Sequence, residues 1–251
     1  MSENQKNIVI TGSEGLLGSS FIKNHASDYN EIFSIDIHKK NKKNYYKCDV
    51  TNESQVKKVI NKVTKNNNVD VLINYAAYNP PAKKKMKPYK FSSYSLKDWK
   101  KNISIDLIGS FLMSKYILKH FEKKNSGTII NISSVYGLKG IDQSIYNKNL
   151  KRFHGYKPIE YSVAKSGIIG FTKSLSTFYK NTNIKILCLI LGGVEKDQGT
   201  FFKKNYNKKA ISSRMARIDE YNEYIKFYSS DKASYSTGTC VVIDGGATNL
   251  F

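Results

Sequence analysis

The chain has 251 residues, 40% hydrophobic and 24% charged, enough apolar material to bury the core of one large α/β domain. No apolar run approaches the roughly 20 residues of a membrane span, and MSENQKNIVITG enters a strand-like stretch without the apolar segment and cleavage site of a secretory signal, so a cytoplasmic location is expected. The net charge of +21 invites a nucleic-acid reading, but only Arg152, Arg214 and Arg217 are arginines, and arginine is the residue favoured for phosphate and base-edge recognition.

The lysines are spread along the whole chain amid plentiful Asn, Ile and Tyr, the composition of a solvated surface shaped by biased base usage. Neither a nucleic-acid nor a membrane partner is expected. Lys39 to Lys43 and Lys83 to Lys85 remain local basic clusters that would attract an acidic substrate or partner. Cys48, Cys188 and Cys240 are far apart in the sequence, lack CxxC spacing and sit in apolar surroundings, which predicts buried free thiols in a reducing compartment and no metal site.

In chain order, Asn7 to Gly12 reads as a buried strand entering a turn, and the spacing of Leu16, Leu17, Phe21 and Ile22 predicts a helix. Glu31 to Ile37 is a second strand. Ser54 to Asn66 is a helix presenting Val56, Val59, Ile60 and Val63 on one face, capped by Thr51 or Asn52. Val69 to Ala77 is a strand, Leu96 to Lys124 one long amphipathic helix, and Gly127 to Ser134 a strand. Tyr161 to Tyr179 is a helix, Ile184 to Leu191 a strand, and Thr239 to Gly246 closes the series. Such alternation implies a single α/β domain over residues 1–251: a doubly wound, Rossmann-type parallel sheet with helices on both faces. Two segments break the rhythm, 139–159 and 192–217. Loops of that length are usually functional, and both leave the C-terminal edge of the sheet, where ligands bind in such folds.

The chemistry-bearing motifs lie at strand ends. In Thr11 to Gly18, TGSEGLLG, Gly12, Gly15 and Gly18 permit a tight turn and close approach of a pyrophosphate to a helix N-terminus. Asp36, 18 residues on, suits adenosine ribose hydroxyls and repels a 2′-phosphate, favouring NAD over NADP, with Lys39 and Lys40 nearby weakening that preference. Asp49 is placed to meet an adenine edge, and the small residues of Asn74 to Ala77 let a cofactor lie close. Ser133 and Ser134 end a strand, where a serine is more often a cap than a catalyst. In YSVAK, Tyr161 and Lys165 share a helix face, and the ammonium is expected to lower the phenol's pKa so that it serves as acid or base. A lone YxxxK is an amphipathic surface pair; following a glycine turn, a ribose-type acid, NYAA and a terminal serine, in this order, it is a catalytic pair.

These motifs, with NISSVYG, LGG at Leu191 to Gly193 and SYSTGTCVVIDGG, resemble the short-chain dehydrogenase/reductases over essentially the full length. The resemblance implies NAD or NADP as cofactor. It implies Ser134, Tyr161, Lys165 and Asp106 as catalytic residues, Asp106 standing where the family has an asparagine that supports a water chain to the lysine. Asn102, four residues away, is a weaker substitute. The implied cofactor contacts are Gly12, Ser13, Gly15, Leu17, Gly18, Asp36, Asp49, Val50, Asn74, Ala76, Tyr161, Lys165 and Val194. The family's TGxxxGxG is altered, with the middle glycine at Gly15, and its PG after the penultimate strand is LGG here. A homodimer or homotetramer is implied, with contacts through the two long helices and the last strand. A finer resemblance, carried by NYAAYNPPAK, SIYNKN, YSVAKSGIIGFTKSL and LGGVEKDQGTFFKKNY, is to the branch tied to surface-glycan and flagellin modification. It implies a polar or phosphorylated sugar-type substrate, in a pocket walled by Tyr146, His154, Tyr156 and Lys196. Two alternatives stand beside it: a carbonyl reductase like the 3-oxoacyl-carrier-protein reductases, its lysines welcoming an acidic carrier, and a cofactor-binding protein without turnover.

Overall fold

The computed structural model describes residues 5–79, 88–149 and 151–250. Seven strands are β1 (Asn7–Thr11), β2 (Glu31–Asp36), β3 (Tyr45–Lys47), β4 (Val71–Asn74), β6 (Gly127–Ser134), β8 (Ile184–Leu191) and β9 (Cys240–Ile243), with a separate ribbon of β5 (Tyr89–Lys90) and β7 (His154–Gly155). The helices are α1 (Leu16–His25), α2 (Glu53–Asn66), α3 (Leu96–Ile103), α4 (Gly109–Lys124), α5 (Ile159–Phe178), α6 (Thr200–Asn207) and α7 (Asn222–Ser229). The large sheet runs β3-β2-β1-β4-β6-β8-β9, every pair parallel.

Both faces are covered, so its strands are nearly continuously apolar; all eight residues of β6 are buried. One apolar cluster joins Val9, Phe33 and Leu72 to Val56 and Ile60 of α2 and Ile117 and Phe121 of α4. The other joins Ile8, Ile10, Ile73 and Leu189 to Phe21 of α1 and Ile225 of α7. Each fully buried side chain of this size contributes about 1.5–3 kcal/mol of transfer free energy. Asn52 caps α2, its side chain accepting from the Gln55 N–H at 3.1 Å.

The helix expected over Leu96 to Lys124 is interrupted. Between α3 and α4, Ser104–Ile108 forms a π-helical turn in which the Gly109 N–H donates to the Ser104 carbonyl. A sequence period of 3.6 is disturbed too little by one such turn to reveal it. The two rhythm-breaking segments carry their own structure. The first holds a 3₁₀ turn at Gln143–Ile145 and strand β7, which pairs antiparallel with β5; the second holds α6. Helix α7, short and mixed in composition, lies outside the expected series.

Cys188 and Cys240, 52 positions apart, are register partners on β8 and β9, and all three thiols are free. Lys40 pairs with Glu14 and Lys43 with Glu31 at 2.8 Å; Lys83 to Lys85 and the Pro80–Lys83 part of NYAAYNPPAK lie outside the described residues. Among the described residues no helix is long and apolar enough to cross a membrane.

Candidate active site

At one end of the sheet's C-terminal edge, the turn from β1 to α1 is set by sterics. Gly12 has φ +64°, and a Cβ there would lie 2.8 Å from the Ala76 backbone. A Cβ at Gly18 would lie 2.4 Å from the Gly12 carbonyl oxygen. The Thr11 hydroxyl accepts from the Ala76 N–H at 3.1 Å, locking the turn to the end of β4. Gly15 is exposed beside it, its N–H donating to the Gly12 carbonyl at 3.0 Å. The Ser13 hydroxyl is buried with no hydrogen-bond partner among the described residues.

Asp36 ends β2. Its carboxylate accepts from the Glu14 N–H at 3.0 Å and the His38 N–H at 3.1 Å, which leaves lone pairs on both oxygens. Asp49 accepts from the Thr51 N–H and hydroxyl at 2.9 and 2.8 Å. Val50 is buried where a Cβ on Gly109 would meet it at 2.7 Å. Asn74 donates to Asn131 Oδ1 at 2.8 Å, while its own Oδ1 is buried without a partner among the described residues. Leu17 and Val194 pack against the second apolar cluster, and Val194 forms a bridge with Ala216.

The unpartnered Ser13 hydroxyl at a helix N-terminus, the glycine cradle and the Asp36 carboxylate fit a dinucleotide's diphosphate and ribose. A nicotinamide dinucleotide, when bound, supplies the acceptor or donor of a hydride.

The other end is electrostatic. Tyr161 and Lys165 occupy the first two turns of α5. The Lys165 ammonium donates to the Ile132 carbonyl at 3.1 Å, forms an ion pair with Asp106 Oδ2 at 3.2 Å, and stands 5.7 Å from the Tyr161 ring centroid. Asp106, wholly buried in the π-helical turn, accepts from the Tyr78 N–H at 2.6 Å through Oδ1. Turns of this kind recur at functional sites. Asn102 is also buried, its Oδ1 unpartnered among the described residues. The two serines divide. Ser133 donates to the Lys165 carbonyl at 2.8 Å and braces the helix. Ser134 accepts from the Tyr136 N–H at 3.3 Å and hydrogen-bonds Tyr161.

The expected net lowering of the Tyr161 pKa is corrected. Burial raises it, Lys165 lowers it, Asp106 raises it and the Ser134 hydrogen bond lowers it, with a net rise. The burial of the phenol, which no local pattern encodes, is the main reason, and the Asp106 carboxylate offsets part of the lysine's field. Lys165 itself is pulled down by burial, but the Asp106 carboxylate outweighs this and holds it protonated, above its ordinary value.

The two rhythm-breaking segments meet beside this cluster. Tyr136 lies edge-on to Tyr161, with centroids 6.4 Å apart. The Tyr146 hydroxyl donates to the Tyr136 hydroxyl at 3.1 Å, and its ring packs on Phe202 of α6 at 5.0 Å. Of the other residues expected to wall the pocket, Tyr156 and His154 are half-buried and Lys196 is exposed. His154 Nδ1 lies 3.0 Å from the Arg152 carbonyl. A cavity of about 230 Å³ lined by Tyr206, Arg214, Glu220 and Asp244 lies under the second segment and does not include Tyr161.

One further side chain belongs to the cluster. Lys157 is buried, its ammonium 4.0 Å from the Tyr161 ring centroid and 2.6 Å from Asn79 Oδ1. Burial pulls its pKa down to about 8, against the attraction of Asp106. The signal was present as a lysine four residues before Tyr161, mirroring Lys165 four after it. It was hidden because Lys157 precedes the helix, in a segment read as loop.

Comparison with known proteins agrees with this fold. Residues 26–248 match the family described as enoyl-(acyl carrier protein) reductase. The chain is similar to 3-oxoacyl-[acyl-carrier-protein] reductase of Thermotoga maritima, 27% identical over 257 residues covering 95% of this chain and 96% of that protein. It is also similar to post-translational flagellin modification protein A of Campylobacter coli, 30% identical over 169 residues covering 62% and 64%. Its fold superposes on a short-chain dehydrogenase from Leptospira borgpetersenii serovar Hardjo-bovis with bound NAD+, with a TM-score of 0.86, 27% identity, and 98% and 94% of the two chains covered. A parallel sheet with a glycine turn at one end of its edge and a Ser–Tyr–Lys cluster at the other, matched in family and in fold, makes this chain a member of the short-chain dehydrogenase/reductase family.

Proposed function

We propose that this oxidoreductase moves a hydride between NAD and a hydroxyl or carbonyl carbon of a sugar-type substrate in surface-glycan biosynthesis. The observation that carries the reading is the Ser134–Tyr161–Lys165 cluster lying beside two structured loop segments. Tyr161 holds or takes the proton at the substrate oxygen, Ser134 orients that oxygen, and Lys165 stabilises the phenolate while Asp106 keeps the lysine charged. NAD is favoured because the Asp36 carboxylate at the end of β2 keeps lone pairs for ribose hydroxyls and Lys40 is tied to Glu14. The Campylobacter relative, named for flagellin modification, supports the glycan setting. Exposed Ile108, Phe111, Val163 and Phe178 along α4, α5 and the turn before α4 suit a homodimer or homotetramer, since exposed apolar side chains favour burial against a partner.

A second reading, a 3-oxoacyl-carrier-protein-type reductase, is supported by the near-complete coverage of the Thermotoga relative. The deciding experiment screens nucleotide-linked sugars, sugar phosphates and acetoacetyl thioesters with NADH and NADPH, read by absorbance of the reduced nicotinamide. Turnover of a sugar derivative with NAD(H) is expected. Turnover of acyl thioesters alone would replace the sugar reading with the second.

A further inference from the structure

Lys157 asks for an explanation that the Tyr161–Lys165 pair does not supply. A lysine with 8% of its surface exposed is rare unless paired, because desolvating an ammonium is costly. The two carboxylates that act on it make no direct contact with it: Asp106 pairs with Lys165, and Glu160 accepts from the Tyr94 hydroxyl at 2.5 Å through Oε1, its buried Oε2 having no partner among the described residues. Among the described residues, no carboxylate comes within ion-pair distance of Lys157, whose hydrogen-bond acceptor is the neutral Asn79 side chain.

The backbone of Lys157 is nevertheless clamped. Its N–H donates to Gln143 Oε1 at 2.9 Å, and its carbonyl accepts from Gln143 Nε2 at 2.8 Å and from the Tyr89 hydroxyl at 3.1 Å. The fold therefore positions a cation to which it gives no direct ion pair of its own. That cation is not sealed in the core, because Asn79 is exposed. A second ammonium, Lys101, stands 4.2 Å from the neighbouring Tyr78 ring centroid on the same rim.

We infer that Lys157 is the receptor for an anionic oxygen group of the substrate, a carboxylate or a phosphate, carried a few bonds from the carbon that exchanges the hydride. The inference rests on the oxidoreductase reading for the location of the reacting carbon. It narrows the substrate to anionic compounds, and it makes Lys157 a specificity residue beside the Tyr161 ring, 4.0 Å from its centroid. Asn79 holds the ammonium in position until the anion arrives. The anion then supplies the missing direct ion pair in a site already desolvated, where a charge-assisted hydrogen bond is strongest.

The test titrates the full chain, saturated with NAD+, with oxalate and separately with inorganic phosphate by calorimetry at pH 7, and measures NAD+ affinity in the same preparations. Wild type is expected to bind at least one of the two anions, the tighter identifying the group as carboxylate or phosphate. Lys157→Gln should weaken that binding about tenfold or more, the range for losing a hydrogen bond to a charged group, and Lys157→Arg should retain it. Asn79→Asp, an exposed substitution that places a carboxylate against the ammonium, should also abolish anion binding without removing the lysine, which guards against misfolding of Lys157→Gln. NAD+ affinity should be unchanged throughout. Failure to bind NAD+ would count against the oxidoreductase reading alone, since the anion titration can be repeated on the free protein. Equal anion affinity in wild type, Lys157→Gln and Asn79→Asp, or no binding of either anion to wild type, would overturn the role of Lys157.

Discussion

At the dinucleotide end of the cleft the buried carboxylate of Asp36 is held by two backbone N–H groups, and the turn is shaped by glycines with no room for a methyl. At the tyrosine end Lys157, Glu160, Lys165 and Asp106 are all buried, and the Asp106 ion pair reaches only Lys165 of the two ammonium groups. The first end is preorganised by backbone shape, which costs little once the chain has folded. The second is preorganised by charge, which costs desolvation for as long as the site is empty. Ligand recognition at the two ends should therefore respond to different perturbations.

The largest expected separation comes from Tyr161→Phe. Removing the phenolic hydroxyl should lower kcat by about 10²–10⁴-fold, the range for a lost general acid/base, while NAD affinity, measured by fluorescence titration, stays within a few-fold of wild type. A parallel collapse of NAD affinity would mean that the two ends are one unit. Gly12→Ala attacks the steric end. Its φ of +64° and the 2.8 Å approach to Ala76 should cost about 1–3 kcal/mol in denaturant unfolding and weaken NAD binding. Unaltered stability would show that the turn yields easily.

Lys157→Met tests the electrostatic end through stability. A folded-state pKa of about 8, below the ordinary 10.5, means that the folded chain binds fewer protons than the unfolded chain between those values. Wild-type stability therefore gains from this group as pH rises from 8 to 10.5, and its cost is fully present below pH 8. Lys157→Met should be more stable than wild type by on the order of 2 kcal/mol below pH 8, with the gap closing toward pH 10.5. Its activity on an anionic substrate should fall. A variant less stable at pH 7 would show that the ammonium is already compensated. The smallest effect belongs to Glu14→Gln, which releases Lys40 from its ion pair. The ratio of kcat/KM with NADPH to that with NADH should rise a few-fold, the scale of a surface pair.

The contrast between the two ends also explains what could be read from the sequence. The glycine turn, Asp36 and YSVAK are local patterns, each fixed by residues a few positions apart, and the strands announce themselves as apolar runs. The role of Lys157 depends on Gln143 and Asn79, contributed by separate loops, and the net rise in the Tyr161 pKa depends first on the burial of its phenol and then on Asp106, 55 positions earlier. The π-helical turn that presents Asp106 leaves the apolar period of its helix almost intact. The side-by-side placement of Cys188 and Cys240 depends on strand order, which no local pattern encodes. Backbone shape was thus legible and mutual electrostatics was not, because charge interactions are set by distances through space.

Gln143 bonds the backbone at Tyr156 and at both polar groups of Lys157, so this side chain ties together the two ends of the excursion between Gln143 and Tyr156. The excursion is mechanically a stem and a replaceable head. Tyr146 near its base couples it through Tyr136 to the edge of Tyr161, so new recognition is best grafted beyond Tyr146, where the reaction centre is left unchanged.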